Sequence, residues 1–283
     1  MYQAKERGRG SGRTQLFDAD VRDRAVTRYT VESELRRGIE CGELRVHYQP
    51  LHVLDTGALS GVEALVRWQH PTRGLLFPAE FIAVAEESNL IVALGAWVLD
   101  EALRQLAQWN AGRPRGSDIT MAVNVSARQI GSLRFVDTVA ETVAKHGIAP
   151  RLVCLEITET ALIEEAVSAP EVFEALHRLG VLIALDDFGT GYSSLAHLRR
   201  FPVDIIKIDR QFVGGPYHSP SDTAVATAIT AMAHALGMTT VAEGVETAAQ
   251  LAELLAMGCD DAQGFLLAKP MSGEDMSAVL DEG

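Results

Sequence analysis

Short apolar runs in this chain repeatedly end in an acid, an amide or a lysine. Glu63 lies in GVEALVRW, Asn124 closes ITMAVNVS, Glu156 closes RLVCLEIT, and Asp186 and Asp187 close VLIALDD. Lys207 and Asp209 fall in VDIIKID, Glu243 in TTVAEGV and Gln263 in DDAQGFL. Any one of these alone reads as a satisfied buried polar group; a succession of them at matching run ends points to one shared site. The donors carry oxygen. No close histidine pair or cysteine pair occurs, which argues against zinc and for hard cations such as Mg²⁺ or Mn²⁺. The adjacent Asp186 and Asp187 suit a carboxylate bridging two ions about 3.5 to 4 Å apart, an arrangement used in phosphoryl chemistry. Gly189, Thr190 and Gly191 follow after Phe188, and glycine backbone there lets the next loop fold close over the acids.

The elements that must position these groups are eight β-rich runs, most of them separated by helical segments such as GAWVLDEALRQLAQWN and TAAQLAELLAMG. That alternation predicts an α/β fold, a TIM-like (β/α)8 barrel whose chemistry sits at the C-terminal ends of the strands. No helix separates the first two runs, LRVHYQPLHVL and GALSGVEALVRW. DTGAL between them reads as a hairpin turn, so the first strand is expected to be antiparallel.

The length of 283 residues suits one such barrel of roughly 250 residues. Hydrophobic residues make up 47% and the net charge is −13. That charge argues against polymeric nucleic acid, which needs a surplus of cations facing the phosphates, and leaves room for a small anion bridged through metal ions. Cys41, Cys154 and Cys259 are widely spaced in apolar surroundings and are expected to be buried free thiols in a reducing, cytoplasmic setting. No apolar run reaches the ~20 residues of a membrane span, so no membrane contact is expected of this chain. Asp187-Phe188-Gly189 matches the metal-binding triplet of protein kinases, but the other kinase motifs are missing.

Taken in order, Glu63-Ala64-Leu65, NVS, EITET, DDFGTGYSSL, IKIDR, AEGVET and QGF resemble the EAL-domain cyclic di-GMP phosphodiesterases, from about Thr30 to the C-terminus. The resemblance implies a TIM-like barrel with one reversed strand that hydrolyses cyclic di-GMP to linear pGpG with two Mg²⁺ or Mn²⁺ ions. Carried over by residue, Glu63, Asn124, Glu156 and Asp186 match the ligands of one ion; Asp186 bridges to a second, which Asp187 joins. Glu243 and Gln263 match groups holding the waters on the ions, and Glu243 is also the proposed general base. Lys207 matches the lysine beside the attacking water, and Glu159 the residue anchoring the DFGTGYSS loop. Gln49, Leu65, Arg67, Glu246 and Pro270 match guanine and phosphate contacts. Asp209 is read with Arg210 as an ion pair shaping the mouth, and also as a candidate substrate contact. Calcium is expected to inhibit, and a homodimer linked to the DFGTGYSS loop is implied.

MYQAKERGRG resembles the end of a GGDEF diguanylate-cyclase domain. Residues 1–24 are accordingly expected to be the remnant of an upstream GGDEF domain and linker, with a sensor further upstream, and residues 25–283 to be the EAL domain. Two other function classes fit parts of the pattern: a non-catalytic cyclic di-GMP receptor, and a generic magnesium-dependent barrel enzyme.

Overall fold

The structure, a computed structural model, describes residues 28–114, 117–131, 133–161, 170–190, 201–214 and 219–282. The expected GGDEF remnant over 1–24 and the part of the DFGTGYSS motif from Gly191 onward lie outside the described residues.

Eight strands close a barrel: β1 (Leu44–Val53), β2 (Leu59–His70), β4 (Thr120–Asn124), β5 (Val153–Thr158), β6 (Leu182–Phe188), β7 (Ile205–Ile208), β8 (Thr239–Ala242) and β9 (Asp261–Ala262). Their order is β1-β9-β8-β7-β6-β5-β4-β2, and a β1–β2 pairing joins the ends. From β2 round to β9 the barrel pairs are parallel. β1 runs antiparallel to both its neighbours, as the DTGAL hairpin implies. In that turn Val53 donates to the Ala58 carbonyl at 2.8 Å and Gly57 takes a φ of 69°, open to glycine at little cost. A short strand that the sequence reading does not anticipate, β3 (Gly74–Leu76), folds back on the end of β2 outside the barrel.

Helices cover the barrel wherever an apolar stripe recurs at helical spacing. The longest, Leu90–Asn110, buries Leu94, Val98, Leu99, Ala102, Leu103 and Leu106 along one face, the 3.6-residue repeat of a core-facing helix. It begins before the GAWVLDE segment because Leu90, Ile91 and Leu94 extend the same stripe. Helix Ala248–Met257 starts with a reciprocal cap between Thr247 and Gln250 and stops at Gly258, φ 79°, a glycine stop in the left-handed region.

Inside the barrel, strand alternation sets small residues beneath polar ones. Ala122, Cys154 and Ala184 pack together as an apolar layer. Two residues further along the same strands come Asn124, Glu156 and Asp186, brought to the mouth by the two-residue period. All three cysteines are free thiols; Cys154 and Cys259 are buried, but Cys41 is exposed. Cys41 follows the helix over 28–40 at a turn whose amide bonds back to Arg37, and its neighbours Glu40, Gly42 and Glu43 do not enclose it. Among the described residues, no helix is long and apolar enough to cross a membrane.

Candidate active site

Lys207 stands on β7 with 1% of its side chain exposed and four carboxylates around its ammonium. Nζ lies 2.6 Å from Glu243 Oε1, 2.9 Å from Glu156 Oε2, 3.3 Å from Asp186 Oδ1 and 3.8 Å from Glu63 Oε2. Burial by itself would lower the lysine's pKa, but the carboxylates outweigh it and hold the ammonium well above its usual value.

Amides orient Glu63. Asn124 Nδ2 donates to Oε1 and Gln263 Nε2 to Oε2, each at 2.7 Å. Burial pushes the Glu63 carboxyl up, yet Lys207 and those two donors pull it below its ordinary range. Burial and the charge of Glu63 raise Glu156 well above a normal glutamate, although Lys207 at 2.9 Å pulls the other way. Burial likewise pushes Glu243 up to about 7, against the pull of Lys207, with Asp186 adding to the rise.

The end of β6 aims two consecutive acids at one place. Strict alternation would send neighbours to opposite faces, but the β6–β7 register shifts between Leu185 and Phe188, and Asp187 takes a φ of 54°. The bulge therefore redirects a side chain. Ligand atoms of Asp186, Asp187 and Glu243 then lie within 4.8 Å of one another, and burial and Asp186 push Asp187 up to about 6. Glu159 reaches this turn from the end of β5, where Oε2 accepts from the Gly189 amide at 3.1 Å. Gly189 has a φ of 97°, and a Cβ there would lie 2.8 Å from Phe212, so a side chain is excluded on both counts.

The donor set fits divalent cations. A single lysine balances Glu63, Glu156, Asp186 and Glu243, so the buried cluster carries excess negative charge, a state that protons or metal ions must relieve. Gln263 Oε1 is buried without a partner, an acceptor left unmade on the same amide that donates to Glu63.

Beside the cluster is a cavity of about 240 Å³ whose lining includes Gln49, Leu65, Glu246 and Gln263. Gln49 is opposite Glu63 in the β1–β2 register and donates to the Ala268 carbonyl at 3.0 Å. Arg67 shares the face of β2 that carries Glu63 and Leu65, outside this lining, and Pro270 is also outside it. Asp209 does not pair with Arg210: its carboxylate caps the Gln211 amide at 3.0 Å, where the helix Arg210–Val213 begins. Arg210 instead lines the cavity, as does the exposed Phe265. In the sequence Arg210 stands out only as the expected partner of Asp209, and Phe265 only as the last residue of QGF.

The EAL domain family profile matches residues 32–270. The chain belongs to the EAL domain family. It is 41% identical over 280 residues to the bifunctional diguanylate cyclase/cyclic di-GMP phosphodiesterase MucR of Pseudomonas aeruginosa, covering 99% of this chain and 40% of that protein. With the cyclic di-GMP phosphodiesterase PdeR of Escherichia coli it shares 41% identity over 271 residues, 96% of this chain and 40% of the relative. The chain thus covers 40% of the length of these two relatives. Among solved structures, the PaMucR phosphodiesterase in complex with c-di-GMP superimposes with a TM-score of 0.83 at 42% identity, covering 87% of this chain and 99% of that one. The EAL domain of Mycobacterium smegmatis DcpA gives 0.72 at 40% identity, covering 85% and 98%.

Proposed function

We propose that this EAL domain hydrolyses cyclic di-GMP to linear pGpG in a reaction that depends on two Mg²⁺ or Mn²⁺ ions. The observation that carries the reading is the buried oxygen cluster around Lys207, excess in negative charge and braced by Asn124 and Gln263. The names of MucR and PdeR support the substrate.

In this reading Glu63, Asn124, Glu156 and Asp186 hold one ion, and Asp186 with Asp187 the other. When bound, the pair supplies charge neutralisation at a nonbridging phosphate oxygen and acidifies water. Glu243 and Gln263 orient the attacking water, and Glu243, 2.6 Å from Lys207, accepts its proton as general base. Lys207 stabilises the negative charge that develops at the phosphorus centre. The water oxygen bonds to phosphorus, the bond to the 3′ oxygen breaks, and that oxygen leaves with a proton. The product keeps a 5′ phosphate. Gln49, Leu65, Glu246, Arg67 and Pro270 contact the guanine and phosphate groups, and Asp209 shapes the start of the loop beside them. Glu159 fixes the turn at Gly189, so the acids of β6 keep their aim.

A cytoplasmic enzyme fits the free thiols. Homodimerisation and an upstream GGDEF domain complete the proposal; light scattering that gives a monomer at every concentration would remove the dimer. Incubation with cyclic di-GMP and Mg²⁺ or Mn²⁺, followed by chromatography, tests the reaction. Formation of pGpG that is lost in Glu63→Ala supports hydrolysis, whereas tight binding without product would assign the domain to the receptor class.

A further inference from the structure

Phe77 exposes 53% of its surface, yet its ring covers Arg67, whose guanidinium carbon stands 5.0 Å from the ring centre. The contact follows from the β3 excursion. β2 and β3 pair with Trp68 opposite Leu76, so the next step of the same antiparallel register sets Phe77 across from Arg67.

Three features fix the ring's origin. Pro78 restricts the residue before it to extended backbone, and Phe77 has φ −97° and ψ 158°. Glu80 accepts the Phe77 amide at 3.0 Å and is itself held by Arg73 at 3.1 Å. Phe81 is fully buried against Trp68, ring centres 5.8 Å apart, which pins the turn to the barrel.

Arg67 is 5% exposed, its Nη1 donates to the Val66 carbonyl at 2.8 Å, and its Nε is buried without a partner. A guanidinium with donors left unmade, two positions along the same strand face from the cavity-lining Leu65, is suited to an anion. Without the ring, the Val66 carbonyl would be its one hydrogen-bonded anchor among the described residues, and fixing the remaining freedom on binding costs affinity.

We propose that Phe77 is a positioning residue for Arg67, its ring holding the guanidinium in the orientation that meets a substrate phosphate. The inference rests on the reading that Arg67 contacts cyclic di-GMP. It explains why a large apolar side chain is left in solvent: the ring's negative face attracts the cation.

The test uses Phe77→Leu, Phe77→Trp, Arg67→Ala and the Phe77→Leu/Arg67→Ala double variant. KM and kcat are measured with Mg²⁺, and the Kd of cyclic di-GMP is measured calorimetrically with Ca²⁺. Phe77→Leu should raise KM and Kd about two- to fivefold, the scale of an exposed cation–π contact, with kcat unchanged. Phe77→Trp should restore both. In the Arg67→Ala background the leucine should add nothing, which a merely structural role would not reproduce. If Arg67→Ala weakens binding and Phe77→Leu does not, or if their effects add in full, the positioning role is wrong while the Arg67 contact stands. If Arg67→Ala itself changes nothing, the reading of Arg67 fails first.

Discussion

Gln263, just past the end of β9, donates its amide to Glu63 Oε2 on β2 at 2.7 Å, joining residues 200 apart in sequence across the reversed β1. The bond, with its Asn124 counterpart, fixes a carboxylate that has no freedom to turn away. Glu63→Ala should abolish turnover while leaving the fold intact, since removing one of four acids lessens the buried cluster's excess negative charge. Gln263→Leu leaves Glu63 in place without one of its donors; outer-shell losses of this kind typically cost about 10- to 100-fold in metal affinity or activity. Steady-state assays with circular dichroism as the folding control separate the two. Full activity in Glu63→Ala would end the metal assignment.

Divalent cations should stabilise the fold as well as permit chemistry. An ion that binds only the folded state adds about 2.7 kcal/mol at one hundred times its Kd, so Mg²⁺ or Mn²⁺ should raise Tm over that in EDTA. Ca²⁺ should also raise Tm but stop product formation, because its bonds of about 2.3 to 2.6 Å and loose geometry mis-space the pair. Differential scanning calorimetry beside a chromatographic assay reads both effects. A Tm indifferent to all three ions would contradict a site built from these carboxylates.

Lys207 is the only cation within the buried cluster among the described residues. Lys207→Met keeps the length of the side chain and removes its charge, leaving the acids to repel one another out of water. Removing one partner of a buried ion pair costs about 3 to 5 kcal/mol. The variant should therefore melt far below wild type in EDTA at neutral pH and recover part of the difference in Mg²⁺, without recovering turnover. Equal melting in the two buffers would show that the lysine and the metals do not share the same neutralising task.

The oxygen cluster was legible in the sequence because a strand's two-residue period and the barrel rule together assign Glu63, Asn124, Glu156, Lys207, Glu243 and Gln263 to one mouth. Asp187 broke the first of these rules: period two points it away from Asp186, and only the bulge and its positive φ bring it back. β3 is three residues long, too short to give a periodic signal, so the Arg67–Phe77 contact it creates was invisible. Asp209 and Arg210 are adjacent and oppositely charged, which suggested a pair, but an acid just before a helix finds a closer donor in the backbone. Cys41 lies at a helix end between Glu40 and Gly42-Glu43, and those polar neighbours already pointed to the exposed thiol that the structure shows.

At the opposite end of the strands, Asp260 ties β8 to the approach of β9. Its Oδ2 accepts from Thr240 N at 2.7 Å and Thr240 Oγ1 at 2.8 Å, and His234 Nε2 lies 2.8 Å away. Burial alone would raise the carboxyl's pKa, but His234 and the Thr240 donors outweigh it and hold the group below the ordinary aspartate range. A depressed carboxyl binds fewer protons folded than unfolded, so it adds stability above the unfolded value, about 3.9, and loses it as pH falls through the lower folded value. The wild-type Tm should accordingly decline from about pH 5 downward, and Asp260→Asn, lower in Tm at pH 7, should show a shallower decline. Because Asp260 and Thr240 sit at the start of β9 and β8 while Gln263 and Glu243 follow the other ends of those strands, kcat at 25 °C should stay unchanged. Thermal melts across that acid range provide the measurement, and parallel profiles for the two proteins would remove Asp260 from the acid response.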